Sequence, residues 1–289
     1  MAGLGADIDG KPALAVTYDG DERILLERMA PLVDLLEISP DAIAGSDGRE
    51  QHLRSEVLAE LENALPHVKL IAHGVGLSIG SFDRWEERYL HLLDELFARF
   101  ELQWHSEHLA YTVVAGENSG TMLPLPRSAE ALDLICERVG LIQQRYGVPF
   151  LLEHVIALLP DAPAAFTPAG FLNEITSRTG CGLVLDAYNL ECDAHNRGLD
   201  IPAFFAELDF APVTELHLAD GVLRNGFRLD IHTGTTRDDT LALAREIIER
   251  APNLRAVTYE FIKQAVPFLG HDAICDELVR IRQTLLAPP

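Results

Sequence analysis

Three residues in the last third of the chain have the types and spacing of metal ligands. His217 closes an apolar run, and Asp230 and His232 follow it within the stretch LHLADGVLRNGFRLDIHTG, residues 216–234. Side chains two residues apart on an extended strand point to the same side, so Asp230 and His232 can bind one ion together. A carboxylate and two imidazoles over so short a span predict half of a metal site, and the other half must come from elsewhere.

Polar residues of the same kinds stand at the ends of other apolar runs. They are His73, His108, Glu153, Asp186 and Glu260, with Asn189 three residues after Asp186 as an additional amide ligand. A single histidine or glutamate at such a position is usually an ordinary hydrogen-bonded group. Several buried charges at one edge, however, repel one another unless a cation neutralises them. The set as a whole therefore predicts bound metal.

The chemistry of these donors limits the metal. No cysteine is among them, and imidazole nitrogen with carboxylate oxygen suits iron, manganese or zinc. The candidate ligands outnumber those that one ion needs, and the carboxylates of Glu153 and Glu260 can bridge two ions. We expect two or three ions.

Eight short apolar runs alternate with amphipathic stretches, and these elements have to position the ligands. The predicted strands are residues 13–18, 35–39, 69–73, 102–109, 150–154, 182–186, 214–218 and 256–261. The predicted helices lie within residues 21–35, 48–65, 83–100, 127–146, 167–180, 200–208, 237–251 and 271–286. This alternation predicts an α/β protein, a closed (β/α)8 TIM barrel with an open doubly wound sheet as the alternative, in one domain over residues 1–289.

The loops that follow the strands of such a barrel share one rim, where active sites lie. Long irregular stretches are predicted there at residues 74–82, 111–125, 189–199 and 220–234. The candidate ligands stand at strand ends or in these loops. The predicted barrel would therefore bring them together.

Strand alternation separates other polar residues from this site. His105 and Glu107 should face away from His108, and His154 should face away from Glu153. Asp220 either hydrogen-bonds a ligand histidine or caps its own loop. The histidines on helices or loops are expected at the surface, and they are His52, His67, His91, His195 and His271.

The overall composition argues against several other functions. The formal net charge is −22, with 45 acidic against 23 basic residues, which disfavours nucleic acid as a partner. No apolar run reaches the roughly 20 residues of a membrane span and no signal-peptide pattern is present, so we expect a cytoplasmic protein that binds no membrane. Cys136, Cys181, Cys192 and Cys275 form no CxxC pair and are expected to be reduced and mostly buried, with Cys192 as a minor catalytic candidate.

Together these residues give the sequence a resemblance to the multinuclear non-haem iron-dependent oxidases. The matching stretches are HGVGLSIGS from His73, SEHLAY from Ser106, LLEH from Leu151, LDAYN from Leu185, HNRGLD from His195, ELHLAD from Glu215, DIH from Asp230 and the strand of Glu260. The resemblance implies two or three iron ions in mixed Fe(II)/Fe(III) states. Its ligands would be His73, His108, Glu153, Asp186, Asn189, His217, Asp230, His232 and Glu260, and we assign Asp186, His217 and Asp230 a catalytic role as well.

The resemblance also implies a reaction. It is the dioxygen-dependent modification of a ribosomally synthesised precursor peptide, often at cysteine, with a separate partner protein that presents the peptide. The sequence departs from the family at His154, Tyr188 and Asp220, where the family commonly reads LEN, LDVNN and HLAG. These changes flank the ligands without removing them and leave the substrate and product open.

Other classes of protein use a similar barrel. A metal-dependent hydrolase resembling the trizinc endonuclease IV is disfavoured by the net charge of −22 and by Asn189, where that endonuclease has a histidine. A sugar isomerase, with Glu153 and Glu260 bridging ions, is a further alternative. A non-enzymatic scaffold on a degenerate barrel would require lost ligands, and none is lost.

Overall fold

The computed structural model describes residues 11–46, 51–158 and 164–287, and parallel strands at its centre close into a barrel. The barrel strands are β1 (Ala13–Tyr18), β2 (Leu35–Ile38), β3 (Lys69–Gly74), β4 (Leu102–His108), β5 (Phe150–Glu153), β6 (Gly182–Asp186), β7 (Val213–Leu218) and β8 (Ala256–Tyr259). Each strand pairs with the next one along the chain, and β8 pairs with β1. The closed barrel confirms the predicted TIM barrel over the open sheet.

An apolar layer and a polar layer fill the interior of the barrel. One buried residue from each strand except β7 forms an apolar plug, and these residues are Ala15, Leu35, Ile71, Trp104, Leu151, Val184 and Ala256. Because side chains alternate along a strand, the residue two positions later faces the same interior. Those residues are Thr17, Glu37, His73, Ser106, Glu153, Asp186 and Thr258, all of them polar. The strands thus place a polar layer directly above the plug, towards the rim.

Helices surround the barrel and cover the outward faces of the strands. They are α1 (Arg23–Met29), α2 (Ser55–Ala64), α3 (Glu87–Arg99), α4 (Ala129–Tyr146), α5 (Pro168–Thr179), α6 (Ala187–Arg197), α7 (Ile201–Glu207), α8 (Asp238–Arg250) and α9 (Val266–Ile281). Outward residues of the strands, such as Leu14, Leu36 and Leu216, belong to the hydrophobic core between strands and helices. In the described residues no helix has the length and apolar character needed to cross a membrane.

The start and stop signals of α5 act as the sequence predicts. The Thr167 hydroxyl accepts a hydrogen bond from the N–H of Gly170, Pro168 begins the helix, and Gly180 ends it with a φ of 68°. A left-handed residue after the last turn favours glycine, because a Cβ is strained in that conformation.

Two predicted elements have different bounds. Helix α2 begins only at Ser55, because residues Gln51–Leu53 pair with Ala44–Ser46 as a short hairpin. Residues 48–50 of the predicted helix lie outside the described residues. Helix α9 begins at Val266 rather than residue 271, with an interruption at Gly270, whose φ is 76°.

Residues 189–199, predicted as an irregular loop, lie mostly in helix α6. The helix begins directly after Asp186, whose carboxylate accepts a hydrogen bond from the backbone N–H of Asn189 at 2.7 Å. It ends at Gly198, which has a φ of 74°. The predicted loop is therefore wrong. The sequence contains both capping signals, Asp186 and Gly198, but Asp186 is also a candidate ligand and was interpreted only as that.

The long loops after β4 and β7 also contain regular structure that was not predicted. Residues Ala110–Val114 pair with Glu117–Pro124 to form an antiparallel hairpin, which we call the β4 hairpin. Residues Gly221–Arg224 pair with Phe227–Asp230 in a second hairpin, the β7 hairpin. The turn Asn225–Gly226 has positive φ at both residues, as a tight hairpin turn requires. The β7 hairpin ends at Asp230, and so it carries a candidate ligand back to the rim.

Candidate metal centre

The polar layer gathers three imidazoles around the carboxylate of Glu153. Its Oε2 atom lies 3.1 Å from Nε2 of His73, 3.4 Å from Nε2 of His108 and 3.6 Å from Nδ1 of His217. The strand register produces this proximity, because His108 pairs with Glu153 between β4 and β5, and Asp186 pairs with His217 between β6 and β7. All of these side chains except that of His108 are buried.

A second group forms around Glu260, which follows β8. Its Oε2 atom lies 3.1 Å from Nδ1 of His217 and 3.9 Å from Nε2 of His232. Nε2 of His232 lies 2.7 Å from Oδ2 of Asp230. Since His217 contacts both Glu153 and Glu260, the two groups are continuous.

Asp230 and His232 meet, but their backbone differs from the predicted extended strand. His232 has a φ of 52°, in the left-handed region that residues other than glycine rarely adopt. Its N–H donates to the carbonyl of Asp220 at 2.8 Å, and its own carbonyl accepts from the N–H of Ile262 at 3.2 Å. The side chains are therefore brought together by a turn that these bonds hold. Asp220 contacts His232 through its backbone carbonyl, which is neither of the two roles predicted for its side chain.

Asn189 joins the cluster from the first turn of α6. Its side-chain amide nitrogen donates to Oε1 of Glu153 at 3.2 Å and to the carbonyl of His154 at 3.3 Å. Its side-chain oxygen is buried and has no hydrogen-bond partner. The structure thus brings together the whole set of candidate ligands from the sequence.

Three overlapping triads have ligand atoms close enough for one ion each. They are Glu37 with His73 and His217, His73 with His108 and Glu153, and Glu153 with Asp186 and His217, and in each triad the ligand atoms lie within 4.8 Å of one another. His73, Glu153 and His217 each belong to two triads. The donors therefore offer adjacent positions that share ligands.

Unpaired donor atoms show that this donor set suits cations. Buried polar atoms in proteins are nearly always hydrogen-bonded. In this cluster the buried atoms without a partner include Nε2 of His73, Oε2 of Glu153, Oδ2 of Asp186, both ring nitrogens of His217 and Oδ1 of Asp230. Nitrogen and oxygen atoms that can donate electron pairs, concentrated at one place and without hydrogen-bond partners, are suited to bind metal ions.

Hydrogen bonds outside the cluster fix the orientation of two imidazoles. Nδ1 of His108 lies 2.9 Å from the carbonyl of Gly74, which can only accept, so this nitrogen carries the proton. The Ser106 hydroxyl donates to the carbonyl of Ala72 at 3.2 Å and accepts from Nδ1 of His73 at 2.8 Å. Both rings consequently direct an unprotonated Nε2 towards Glu153, as metal-binding histidines do.

Burial raises the pKa values of carboxyl groups in the cluster and lowers those of its imidazoles. Burial raises the pKa of Glu153 and of Asp186 well above the usual range, and neighbouring carboxylates add to this effect. Burial lowers the pKa of His108 to about 4. Burial also lowers the pKa of His217, but the carboxylates of Glu260 and Glu37 outweigh it and raise that pKa well above its ordinary value. Carboxylates that repel one another in a buried site are the electrostatic pattern that a cation relieves.

Two acidic residues at the site were missed in the sequence. Oε2 of Glu37 lies 3.2 Å from Nε2 of His217, and Oε1 of Glu215 lies 3.4 Å from the same atom. Glu215 is held by the indole N–H of Trp104 at 2.7 Å and the hydroxyl of Thr258 at 2.5 Å. Each acid stands inside a buried strand, Glu37 in LLEI and Glu215 in VTELHL, and that placement was the available signal.

The polar residues predicted to face away from the cluster have other surroundings. The ring of His105 packs against those of Phe97, Tyr146 and Phe150. Glu107 lies beside it, with 3.7 Å between Nε2 of His105 and Oε1 of Glu107. Of the predicted surface histidines, His52, His67, His91 and His195 are exposed and His271 is half-buried. Cys192 is buried, and burial with the nearby Asp230 and Asp186 raises the pKa of its thiol, which argues against a thiolate nucleophile.

A protein-family model described as "RiPP precursor modification enzyme MbnB/TglH/ChrH" matches residues 21–285 of the chain. The chain belongs to this family. A RiPP is a ribosomally synthesised and post-translationally modified peptide, so the family consists of enzymes that modify precursor peptides. The family predicted from the sequence resemblance is confirmed.

Two relatives of this protein match it over most of their length. A UPF0276 protein of Caulobacter vibrioides is 33% identical over 221 residues, which cover 76% of this chain and 76% of that protein. A UPF0276 protein of Anaeromyxobacter sp. is 34% identical over 202 residues, 70% of this chain and 69% of the relative. The similarity therefore includes the greater part of the barrel.

Solved structures with the same fold are more distant from this member of the family. A xylose isomerase domain-containing protein of Salmonella typhimurium has a TM-score of 0.61 at 12% identity and covers 98% of this chain and 100% of its own. Endonuclease IV from Thermus thermophilus has a TM-score of 0.57 at 16% identity, with 95% and 98% coverage. These similarities show the fold alone, which is a xylose isomerase-like TIM barrel.

A cavity of about 670 Å³ lies beside the candidate centre of this family member. His108, Asn189 and Asp230 contribute to its wall, so the cavity reaches the cluster. The remaining wall comes from the β4 hairpin, the segment after β5, and helices α5, α6 and α7, and it includes His154. Its volume is typical of ligand-binding pockets, which occupy about 300–1,000 Å³.

Proposed function

We propose that this chain is an iron-dependent oxidase that uses dioxygen to modify a residue, a cysteine, of a ribosomally synthesised precursor peptide. The observation that carries the proposal is the continuous cluster of unpaired, buried nitrogen and oxygen donors beside a cavity of about 670 Å³. Membership of a family of precursor-modifying enzymes supports the substrate class. A separate partner protein that presents the precursor is part of the proposal.

The residues that would hold iron are the nine candidate ligands from the sequence. They are His73, His108, Glu153, Asp186, Asn189, His217, Asp230, His232 and Glu260. Glu153 lies beside the imidazoles of His73 and His108, and Glu260 beside those of His217 and His232, so these carboxylates would hold iron together with the histidines. Iron, when bound, would activate dioxygen and pass electrons from the peptide to it.

The protein's own residues hold this site in one arrangement. Gly74 and Ser106 fix the rings of His108 and His73, and Glu37 with Glu215 faces the outer nitrogen of His217. The apolar plug excludes water from beneath the polar layer. We assign Asp186, His217 and Asp230 the catalytic role, because they would contact the reacting metal and Asp230 also borders the cavity.

The approach of the substrate follows from the position of the cavity. His108, Asn189 and Asp230 border both the cluster and the cavity, so a peptide side chain in the cavity would reach the ligands from this side. The cavity would orient that side chain and displace water from around it. Preorganised donors in a dry site act more strongly on developing charge than they would in water.

The proposal is tested by metal analysis followed by turnover. Protein from iron-rich medium, purified without oxygen, should contain about two to three irons per chain and show a coupled mixed-valence spectrum. Addition of dioxygen and a cysteine-containing precursor should then change the mass of the peptide. His217→Ala should lose iron and activity, whereas His91→Ala, at an exposed position of α3, should retain both. Stoichiometric zinc without iron, persisting under iron supplementation, would overturn the oxidase in favour of a hydrolase or sugar isomerase.

A further inference from the structure

The wall of the cavity is apolar over most of its extent away from the candidate ligands. Leu109, which follows β4, and Leu123 of the β4 hairpin contribute to it. Val155 contributes from the segment after β5, and Phe171 and Phe204 from helices α5 and α7. Such a surface binds side chains that lose unfavourable contact with water on burial.

The charged side chains that α6 contributes to the cavity wall are paired with each other. Nη2 of Arg197 lies 2.5 Å from Oδ2 of Asp193, and Oδ1 of Asp193 accepts from the N–H of Ala157 at 2.9 Å. Asp193 is 4% exposed, so this pair is held within the wall. A ligand charge would therefore find no free complementary charge on α6, and a charge buried without a partner is strongly disfavoured.

Apart from the candidate ligands, His154 also gives the wall unused hydrogen-bonding capacity. Both ring nitrogens of His154 are buried and have no partner, although His154 lines the same cavity as His108 and Asn189. A peptide group offers both a donor and an acceptor and could satisfy one of these nitrogens. The wall thus combines an extended apolar surface with a polar group next to the ligands, a combination typical of pockets that bind an amphipathic ligand.

We propose that the cavity binds a large apolar side chain of the precursor, carried by a residue adjacent to the modified one, and that it selects precursors by this side chain. The inference rests on the proposed function, because it takes a peptide as the substrate. The modified residue would lie at the ligands His108, Asn189 and Asp230. The neighbouring apolar side chain would fill the space between the β4 hairpin and helices α5 and α7, with the intervening peptide group at His154.

Two pentapeptides of equal charge test the selection. Both are N-acetylated and C-amidated, one with the sequence Gly-Phe-Cys-Phe-Gly and the other Gly-Gln-Cys-Gln-Gly. Calorimetric titration into the metal-loaded protein without oxygen should show the phenylalanine peptide binding at least about tenfold more tightly. Equal affinities, or tighter binding of the glutamine peptide, would overturn the inference.

Two occluding variants locate the binding in the cavity. Ala164→Phe places a ring at the mouth from the segment before α5, and Thr121→Trp does so from the β4 hairpin; both positions are exposed and line the cavity. Each should weaken binding of the phenylalanine peptide about tenfold or more without lowering the melting temperature. The matched control is Ala165→Phe, at the exposed neighbouring position, which should bind like the parent. If both occluding variants bind like the control, the inference is wrong.

The outcomes separate this inference from the proposed function. Iron-loaded protein that oxidises a precursor but shows no preference between the two peptides would disprove the apolar selection alone. Protein that prefers the phenylalanine peptide but contains no iron and oxidises no precursor would disprove the oxidase alone.

Discussion

The side chain of Asp186 is shared between the start of a helix and the polar cluster. One carboxylate oxygen accepts the backbone N–H of Asn189 at 2.7 Å, and the other is buried without a partner beside His217 and Glu153. A single residue therefore places Asn189, in the first turn of α6, next to Glu153. Capping and the proposed metal binding make different demands on Asp186, and substitutions can separate them.

We predict that Asp186→Asn and Asp186→Ala both lose iron but differ in stability. Asparagine keeps an oxygen for the cap and loses the negative charge, whereas alanine loses both, at a cost of about 1 kcal/mol in the free energy of unfolding. Denaturant titration in the presence of a chelator measures the stability, and elemental analysis measures the iron. Full iron content in the asparagine variant would contradict the role of Asp186 as a ligand.

The left-handed backbone of His232 leads to a second prediction. His232→Gly and His232→Ala both remove the imidazole, so both should lose the same amount of metal. They differ in the cost of a φ of 52°, which glycine adopts freely. The glycine variant should therefore be more stable than the alanine variant by about 1 kcal/mol. Equal unfolding midpoints in a chelator would show that the turn relaxes in the variants.

Glu37 gives a prediction about a residue that the sequence pattern did not identify. Its Oε2 atom lies 3.2 Å from Nε2 of His217. Glu37→Gln keeps the shape but weakens the contact that orients His217, so the affinity for metal should fall about 10- to 100-fold. Competition with a chromogenic chelator measures the affinity. Glu246→Gln, on the exposed side of α8, is the control and should have the affinity of the parent.

The buried ring of His105 leads to a prediction about pH. Burial lowers the pKa of His105 to about 3, and the titratable groups that face it are Glu107 and Tyr146. Below the ordinary histidine pKa of about 6.5 the unfolded chain binds a proton that the folded chain does not. This residue therefore makes the protein less stable as the pH falls from about 6.5 towards 3, by up to about 1.4 kcal/mol per pH unit.

Replacement by an apolar ring should remove that dependence. His105→Phe preserves contact with Phe97 and Phe150 and has no proton to bind. Its free energy of unfolding, measured by denaturant titration between pH 7 and pH 5, should fall less steeply than that of the parent. Parallel pH profiles would show that His105 is protonated in the folded state as well.

Most barrel strands were predictable because they are short apolar runs, and strands such as Leu35–Ile38 and Phe150–Glu153 are buried throughout. The proximity of the candidate ligands was also predictable, because parallel strands in a barrel end at one rim. Helix α6 was harder, since its N-terminal cap is also a candidate ligand. Glu37 and Glu215 could be identified only once closure of the barrel shows which side of a strand faces inwards.

The hairpins depended on contacts distant in the sequence. The β4 hairpin lacks the strict alternation of a half-buried strand, because residues 117–121 are exposed on both faces. The pairing of Asp230 with His232 was expected for the wrong reason, since the turn that joins them is held by backbone bonds to Asp220 and Ile262. Such bonds become visible only when the distant segments are already in place.

The apolar plug has a consequence for the kinetics of the proposed reaction. Within the described residues it fills the barrel beneath the polar layer with side chains such as Leu35, Trp104 and Leu151, so the cluster is accessible from the rim. Dioxygen and the peptide would then reach the cluster by the same route, and a peptide bound in the cavity would lie between dioxygen and the candidate ligands. The order in which the two arrive would matter, as would the departure of the product before the next round.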